Sequence, residues 1–102
     1  MSEDLKQKIS DLVKKNDVVI FMKGTQAAPR CGFSNQAVQV LKTLGKPIES
    51  VNVLEDEALW DALEVYTQWP TVPQIFIKGE FVGGCDIVTE LHERGELQKM
   101  VN

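Results

Sequence analysis

Val18-Val19-Ile20-Phe21-Met22 is an unbroken run of β-branched and other large apolar residues, and it restricts the fold more than any other stretch of this chain. A strand points successive side chains to opposite faces, so a strand apolar at every position needs cover on both sides. Cover is available from flanking helical patterns. Before the run, Leu5, Ile9, Leu12 and Val13 recur at helical spacing, with Ser2 as the expected cap and Asn16-Asp17 as the stop. After it, Ala37, Val40, Leu41 and Leu44 mark a second helix over about residues 34–44, closed by Gly45.

Residues 48–53 alternate in the manner of a half-buried strand, and Glu57–Thr67 follows as a third helix with Leu59, Leu63 and Tyr66 on one face. Trp69-Pro70-Thr71-Val72-Pro73 ends that helix, because two prolines so close forbid its continuation. Residues 74–77 and 80–82 flank Lys78-Gly79 as a hairpin. Gly83-Gly84 then leads into a last helix carrying Ile87, Val88 and Leu91, with Asp86 expected as its N-cap. Gly95 breaks this helix, and Leu97, Met100 and Val101 suit a short terminal one. The order αβαβαββα plus a short C-terminal helix predicts an α/β, thioredoxin-like fold in one domain over residues 1–102, a central four-stranded mixed sheet flanked by helices.

Charge and cysteine usage narrow the function classes. Eleven Lys and Arg against fifteen Asp and Glu leave a net charge of −4 without long runs of either sign, so no basic face for nucleic acid is expected. No apolar stretch approaches the ~20 residues of a membrane span. The acidic opening Met1-Ser2-Glu3-Asp4 differs from signal and transit peptides, which predicts a cytoplasmic protein ahead of an organellar-matrix one. Only two cysteines occur, Cys31 and Cys85, and in a reducing compartment they are expected as thiols. His92 stands alone, so a zinc site is not expected.

The chemistry centres on Cys31-Gly32-Phe33-Ser34. A dithiol redox protein carries a second cysteine three residues after the first to close its own disulfide, and here Ser34 stands in that place. Cys31 must therefore borrow another thiol or bind something that takes one sulfur per chain. At a helix N-terminus it meets free N–H groups and the positive end of the helix dipole, and Arg30 and Lys23 are expected to lower its pKa further. Gly32 would let a ligand approach the backbone, and Phe33 would present its N–H. A cis Pro73 would put the Val72 backbone where an extended peptide-like ligand can pair with it. Gly83-Gly84 is either a simple bend or a second close approach, with the N–H groups of Cys85 and Asp86 suited to a carboxylate.

Lys23-Gly24-Thr25, Pro29, Cys31-Gly32-Phe33-Ser34, Trp69-Pro70-Thr71-Val72-Pro73-Gln74 and Gly83-Gly84-Cys85-Asp86, in this order, resemble the monothiol glutaredoxins of the CGFS type over essentially the whole chain. The resemblance implies glutathione as cofactor, with Cys31 as thiolate, Lys23 on a glutathione carboxylate, Thr71 and Val72 holding its cysteine backbone, and Cys85 and Asp86 at its γ-glutamyl end. It also implies a homodimer bridging one [2Fe-2S] cluster through Cys31 of each chain and two glutathione thiols, with apo iron-sulfur proteins as recipients and BolA-type proteins as further partners. The resemblance lapses at Trp60 and Glu64, where the family usually has Arg and often Lys. Those cations help hold the glycine carboxylate, so Lys23 or another group, such as the Gln68 amide, must serve that end. Trp60 and Glu64 stay outside the expected ligand set.

Two functions follow. One is a carrier that holds a [2Fe-2S] cluster between two chains and passes it on. The other is a glutathione-disulfide oxidoreductase in which Cys31 works by a monothiol mechanism, with Cys85 as a possible resolving thiol. A thioredoxin-like interaction domain without chemistry is the bland alternative, under which Cys31→Ser changes nothing.

Overall fold

Strand β1 (Val18–Met22) is buried at all five positions, as its composition requires. Val18, Ile20 and Met22 enter one core cluster, and Val19 and Phe21 enter the other, so the strand's alternation distributes one apolar run between two faces. The structure, a computed structural model, describes residues 3–102; Ser2, expected to cap the first helix, lies outside them.

Around β1 run α1 (Glu3–Lys15), α2 (Gly32–Lys42), β2 (Glu49–Asn52), a 3-10 turn (Val53–Glu55), α3 (Glu57–Thr67), β3 (Gln74–Ile77), β4 (Glu80–Gly83), α4 (Cys85–Glu93) and α5 (Glu96–Val101). The sheet order is β2-β1-β3-β4. β1 and β2 are parallel, with Val19 opposite Glu49 and Met22 opposite Asn52; β3 lies antiparallel to both β1 and β4. This is the expected four-stranded mixed sheet. Ile9 and Val13 of α1 pack with Leu59, Ala62 and Leu63 of α3 on one face. Ala37, Val38 and Leu41 of α2, Val88 of α4, and Leu97 and Val101 of α5 cover the other.

Three element boundaries differ from expectation. α2 begins at Gly32 rather than Ser34, directly after Cys31. Asp86 is not the cap of α4: Gly84 holds that position, and Asp86 lies inside the first turn. Val53 leaves β2 for the 3-10 turn, whose Leu54 N–H is capped by the Asn52 side chain at 3.0 Å. At the hairpin, Lys78 (φ 51°) and Gly79 (φ 85°) both take positive φ, the twist that a two-residue hairpin loop needs.

Candidate thiol site

The C-terminal end of β1, the N-terminal end of β3 and the N-terminal ends of α2 and α4 meet at one end of the sheet. Lys23 follows β1, and the chain then makes a small excursion that returns Cys31 to its side. Thr25 and Ala28 exchange backbone hydrogen bonds of 3.3 and 3.1 Å, and Arg30 N–H donates to the Lys23 carbonyl at 2.9 Å. Gly24 N–H donates to Asn52 Oδ1 at 2.9 Å, which ties the excursion to the end of β2. Gly24 carries φ +89°, and a Cβ there would lie 2.5 Å from the Ala28 carbonyl oxygen and 2.7 Å from Arg30 N. Gly24→Ala is therefore expected to cost more than ~1 kcal/mol, read as a melting temperature lowered by several degrees. Gly32→Ala serves as the control. A Cβ at Gly32 meets nothing within 4 Å, so that change is expected to stay within about 1 kcal/mol of the parent.

Cys31 is the N-cap residue of α2, in extended conformation, and its thiol is only partly covered. The Ser34 backbone N–H does most to hold this thiol below the ordinary cysteine value. Burial opposes it, while the Phe33 N–H, the Lys23 charge and the Ser34 hydroxyl lower it further. Arg30, expected to help, is not among the groups that act on it. Ser34 is fully buried, and its hydroxyl accepts from Lys23 N–H at 3.4 Å, so it joins the loop to α2 as well as facing the thiol. Cys85 differs. Burial pushes its thiol up, against the Thr89 hydroxyl, and the Asp86 and Cys31 charges push the same way.

The two thiols should separate in a pH profile. Thiolate reacts with iodoacetamide and thiol does not, so Cys31 labelling is expected to reach its plateau at lower pH than an unstructured cysteine. Cys85 labelling should keep rising at more alkaline pH. A Cys31 midpoint at or above that of a free cysteine peptide would contradict the electrostatics described here.

Opposite Cys31 lies the α3–β3 loop. Its Val72-Pro73 peptide bond is cis. The Gln74 side chain, fully buried, donates to the carbonyls of Trp69 (2.9 Å) and Thr71 (3.0 Å) and so fixes the loop from beneath. Gly84 brings the start of α4 against this loop: a Cβ there would sit 3.3 Å from the Pro73 carbonyl oxygen.

Between these segments is a cleft of about 550 Å³, within the usual size range of ligand sites. Of the residues singled out from sequence, Lys23, Cys31, Phe33, Thr71, Val72, Pro73, Gly84, Cys85 and Asp86 line it. Gly32 does not; it lies exposed at the start of α2. Gln68 does not either; it caps α3 in a left-handed conformation, and its amide donates to the Val65 carbonyl at 2.8 Å. Trp60, Trp69, Pro70 and Ile87 line the cleft and were not expected there. Trp69 and Pro70 belong to a block read as a helix stop and as part of the family resemblance, in which only Thr71, Val72 and Pro73 were assigned to the ligand. Trp60 packs partly against the core, and Lys23 Nζ lies 5.7 Å from its ring centroid. Glu64 lies outside the cleft lining.

A thioredoxin-like sheet with one partly covered thiol of lowered pKa at a helix N-terminus, facing a cis-proline loop across a cleft, defines a thiol protein of the thioredoxin-like class. A family model described as Glutaredoxin matches residues 18–82. The chain belongs to the glutaredoxin family, in the monothiol branch that carries Cys-Gly-Phe-Ser. It is similar to a Synechocystis protein named "uncharacterized monothiol glutaredoxin ycf64-like", 48% identical over 101 residues and covering 99% of this chain and 94% of that protein. The solution structure of reduced poplar apo GrxS14 superposes with a TM-score of 0.84 at 52% identity, over 95% of this chain and 89% of the other. A crystal structure of a buckwheat glutaredoxin-glutathione complex superposes with a TM-score of 0.84 at 33% identity, over 99% and 93%. Further relatives from Arabidopsis carry chloroplastic and mitochondrial names, and this chain spans 58% of each. Among the described residues no helix is long and apolar enough to cross a membrane.

Proposed function

We propose that this protein is a glutathione-dependent carrier of [2Fe-2S] clusters, working as a homodimer that holds one cluster as cargo and passes it to apo-proteins. The observation that carries the proposal is the inequality of the two thiols. Cys31 is partly exposed at the cleft with its pKa lowered, whereas Cys85 is 6% exposed with its pKa raised. One chain thus offers one thiolate suited to ligation, while a [2Fe-2S] cluster takes four ligands. Among the described residues no group of three or more His, Cys, Asp and Glu side chains is placed to hold a metal within one chain; the family resemblance implies that a second chain and two glutathiones supply the remaining sulfurs.

The cleft suits glutathione. Lys23 at one side and the N-terminal N–H groups of α4 at Cys85 and Asp86 on the other are the natural sites for its two carboxylates. Its cysteine then runs along Thr71 and Val72 with the sulfur toward Cys31, and Pro73 and Gly84 shape the wall behind. The buckwheat glutaredoxin seen with glutathione supports this assignment. Phe33 (63% exposed) and Ile87 (38% exposed) form an apolar rim beside Cys31 that a second copy would cover. Both cysteines are free, which suits a reducing compartment such as the cytosol. Apo iron-sulfur proteins are the recipients, and BolA-type proteins are the further partners that the family resemblance implies.

The lowered Cys31 pKa also favours a second reading, thiol-disulfide exchange. The Cys31 thiolate would attack the glutathione sulfur of a mixed disulfide and release the protein thiol. A second glutathione thiolate would then free Cys31 and leave as oxidised glutathione. Cys85 is a poor resolving group here, being buried and held as thiol. Anaerobic reconstitution with iron and sulfide, run with and without glutathione beside a mixed-disulfide reductase assay, separates the two. The carrier predicts visible cluster absorption and a dimer only when glutathione is present. A colourless monomer with fast reductase turnover would reverse the ranking.

A further inference from the structure

The wall of the cleft at Lys23 has a composition that bears on which thiol ligands it takes. Among the described residues Lys23 is the one cation lining the cleft, and its ammonium already lies over the Trp60 ring, 5.7 Å from the centroid. Trp60 also lines a neighbouring cavity of about 380 Å³ together with Glu57, Asp61 and Glu64. A carboxylate brought to this end of the cleft meets one ammonium shared with an aromatic ring, while the cavity that also borders Trp60 is lined by three acidic side chains. The Trp60 Nε1 is closed off from solvent and has no partner among the described residues, so it offers the incoming carboxylate no donor in this position.

Magnitudes decide the outcome. An exposed Lys–carboxylate pair adds at most about fivefold to affinity. The three carboxylates of the adjoining cavity act against that attraction. Resting on the glutathione site proposed above, we infer that Trp60 leaves this cleft with only a weak preference, carried by Lys23 alone, for the C-terminal carboxylate of its thiol ligand. The ligand class therefore extends to glutathione derivatives esterified or amide-extended at the glycine end. Trp60 is in this sense a specificity-determining residue, replacing charge recognition with an apolar surface.

The test titrates reduced protein with glutathione and, separately, with its glycyl monoethyl ester, following the two tryptophan indole N–H resonances. The dissociation constants are expected to agree within about threefold. Glutathione binding more than about tenfold tighter than the ester would overturn this inference and leave the glutathione site standing. Binding of neither ligand would remove the site and the inference together. Trp60→Arg supplies a cation at the same wall and is expected to tighten glutathione by about tenfold while leaving the ester unchanged. Because Trp60 packs partly against the core, Glu64→Lys is the second variant; it lies outside the cleft lining and should shift the glutathione-to-ester ratio in the same direction by about threefold. Equal tightening of both ligands in these variants would also overturn the inference.

Discussion

Cys31→Ser is expected to abolish cluster assembly and thiol exchange together, while Cys85→Ser retains the cluster. Oxygen in place of sulfur at Cys31 removes the cleft thiol whose pKa is lowered, and a serine hydroxyl is a far weaker acid and a poor ligand for iron. The fold should be spared. Cys31 is the N-cap of α2 with its side chain partly exposed, and serine is a favoured residue at that position. Cys85 presents the opposite case. It belongs to the core cluster beneath α4, and serine there buries a hydroxyl at a cost of ~1–3 kcal/mol, moderated by the Thr89 hydroxyl 3.9 Å from the present sulfur. Absorption spectra of the two variants after anaerobic reconstitution, with melting curves as the folding control, check the contrast. Loss of the cluster in a folded Cys85→Ser protein would show that Cys85 is a ligand.

The largest expected effect on stability lies at Phe76. It is 1% exposed in β3, and its ring meets those of Phe21 (5.7 Å between centroids), Tyr66 (6.2 Å) and Phe81 (5.4 Å). Through them it links β1, α3 and β4 on one face of the sheet. Phe76→Ala removes that area from burial and leaves a cavity among rigid neighbours, which costs ~3–5 kcal/mol. A domain of this size has roughly 5–15 kcal/mol in all, so the melting temperature should fall by roughly 15–40 °C. Leu54→Ala, at a side chain 51% exposed, is the contrast and should change stability by less than ~0.5 kcal/mol. Chemical denaturation of both variants measures the difference directly.

The sheet was legible because its central strand is apolar at every position, a pattern that only two-sided cover satisfies. The hairpin was legible because Lys78-Gly79 suits a loop with two positive φ angles. Boundaries were less so. α2 starts two residues before Ser34 because Gly32 and Phe33 follow the cap at Cys31 directly, and neither continues the apolar stripe that marks the helix. The cap of α4 falls on Gly84 rather than Asp86 because the chain turns early to bring that glycine against the Pro73 carbonyl, a contact 11 residues away in sequence that no local pattern encodes. Most of the cleft residues could be anticipated because they sit at element ends that the topology gathers at one end of the sheet. Trp60 could not be placed there by periodicity. A Trp beside Leu59 and Leu63 reads equally as core, and only the approach of Lys23 from another element shows that part of its ring faces the cleft.

The most direct measurement is a native mass spectrum of the protein reconstituted anaerobically with iron, sulfide and glutathione. The expected species contains two chains, one [2Fe-2S] cluster and two glutathione molecules, and it loses the cluster when glutathione is stripped away. A cluster-bearing dimer without glutathione would contradict the central claim, because its four sulfurs would then have to come from Cys31 and Cys85 of both chains.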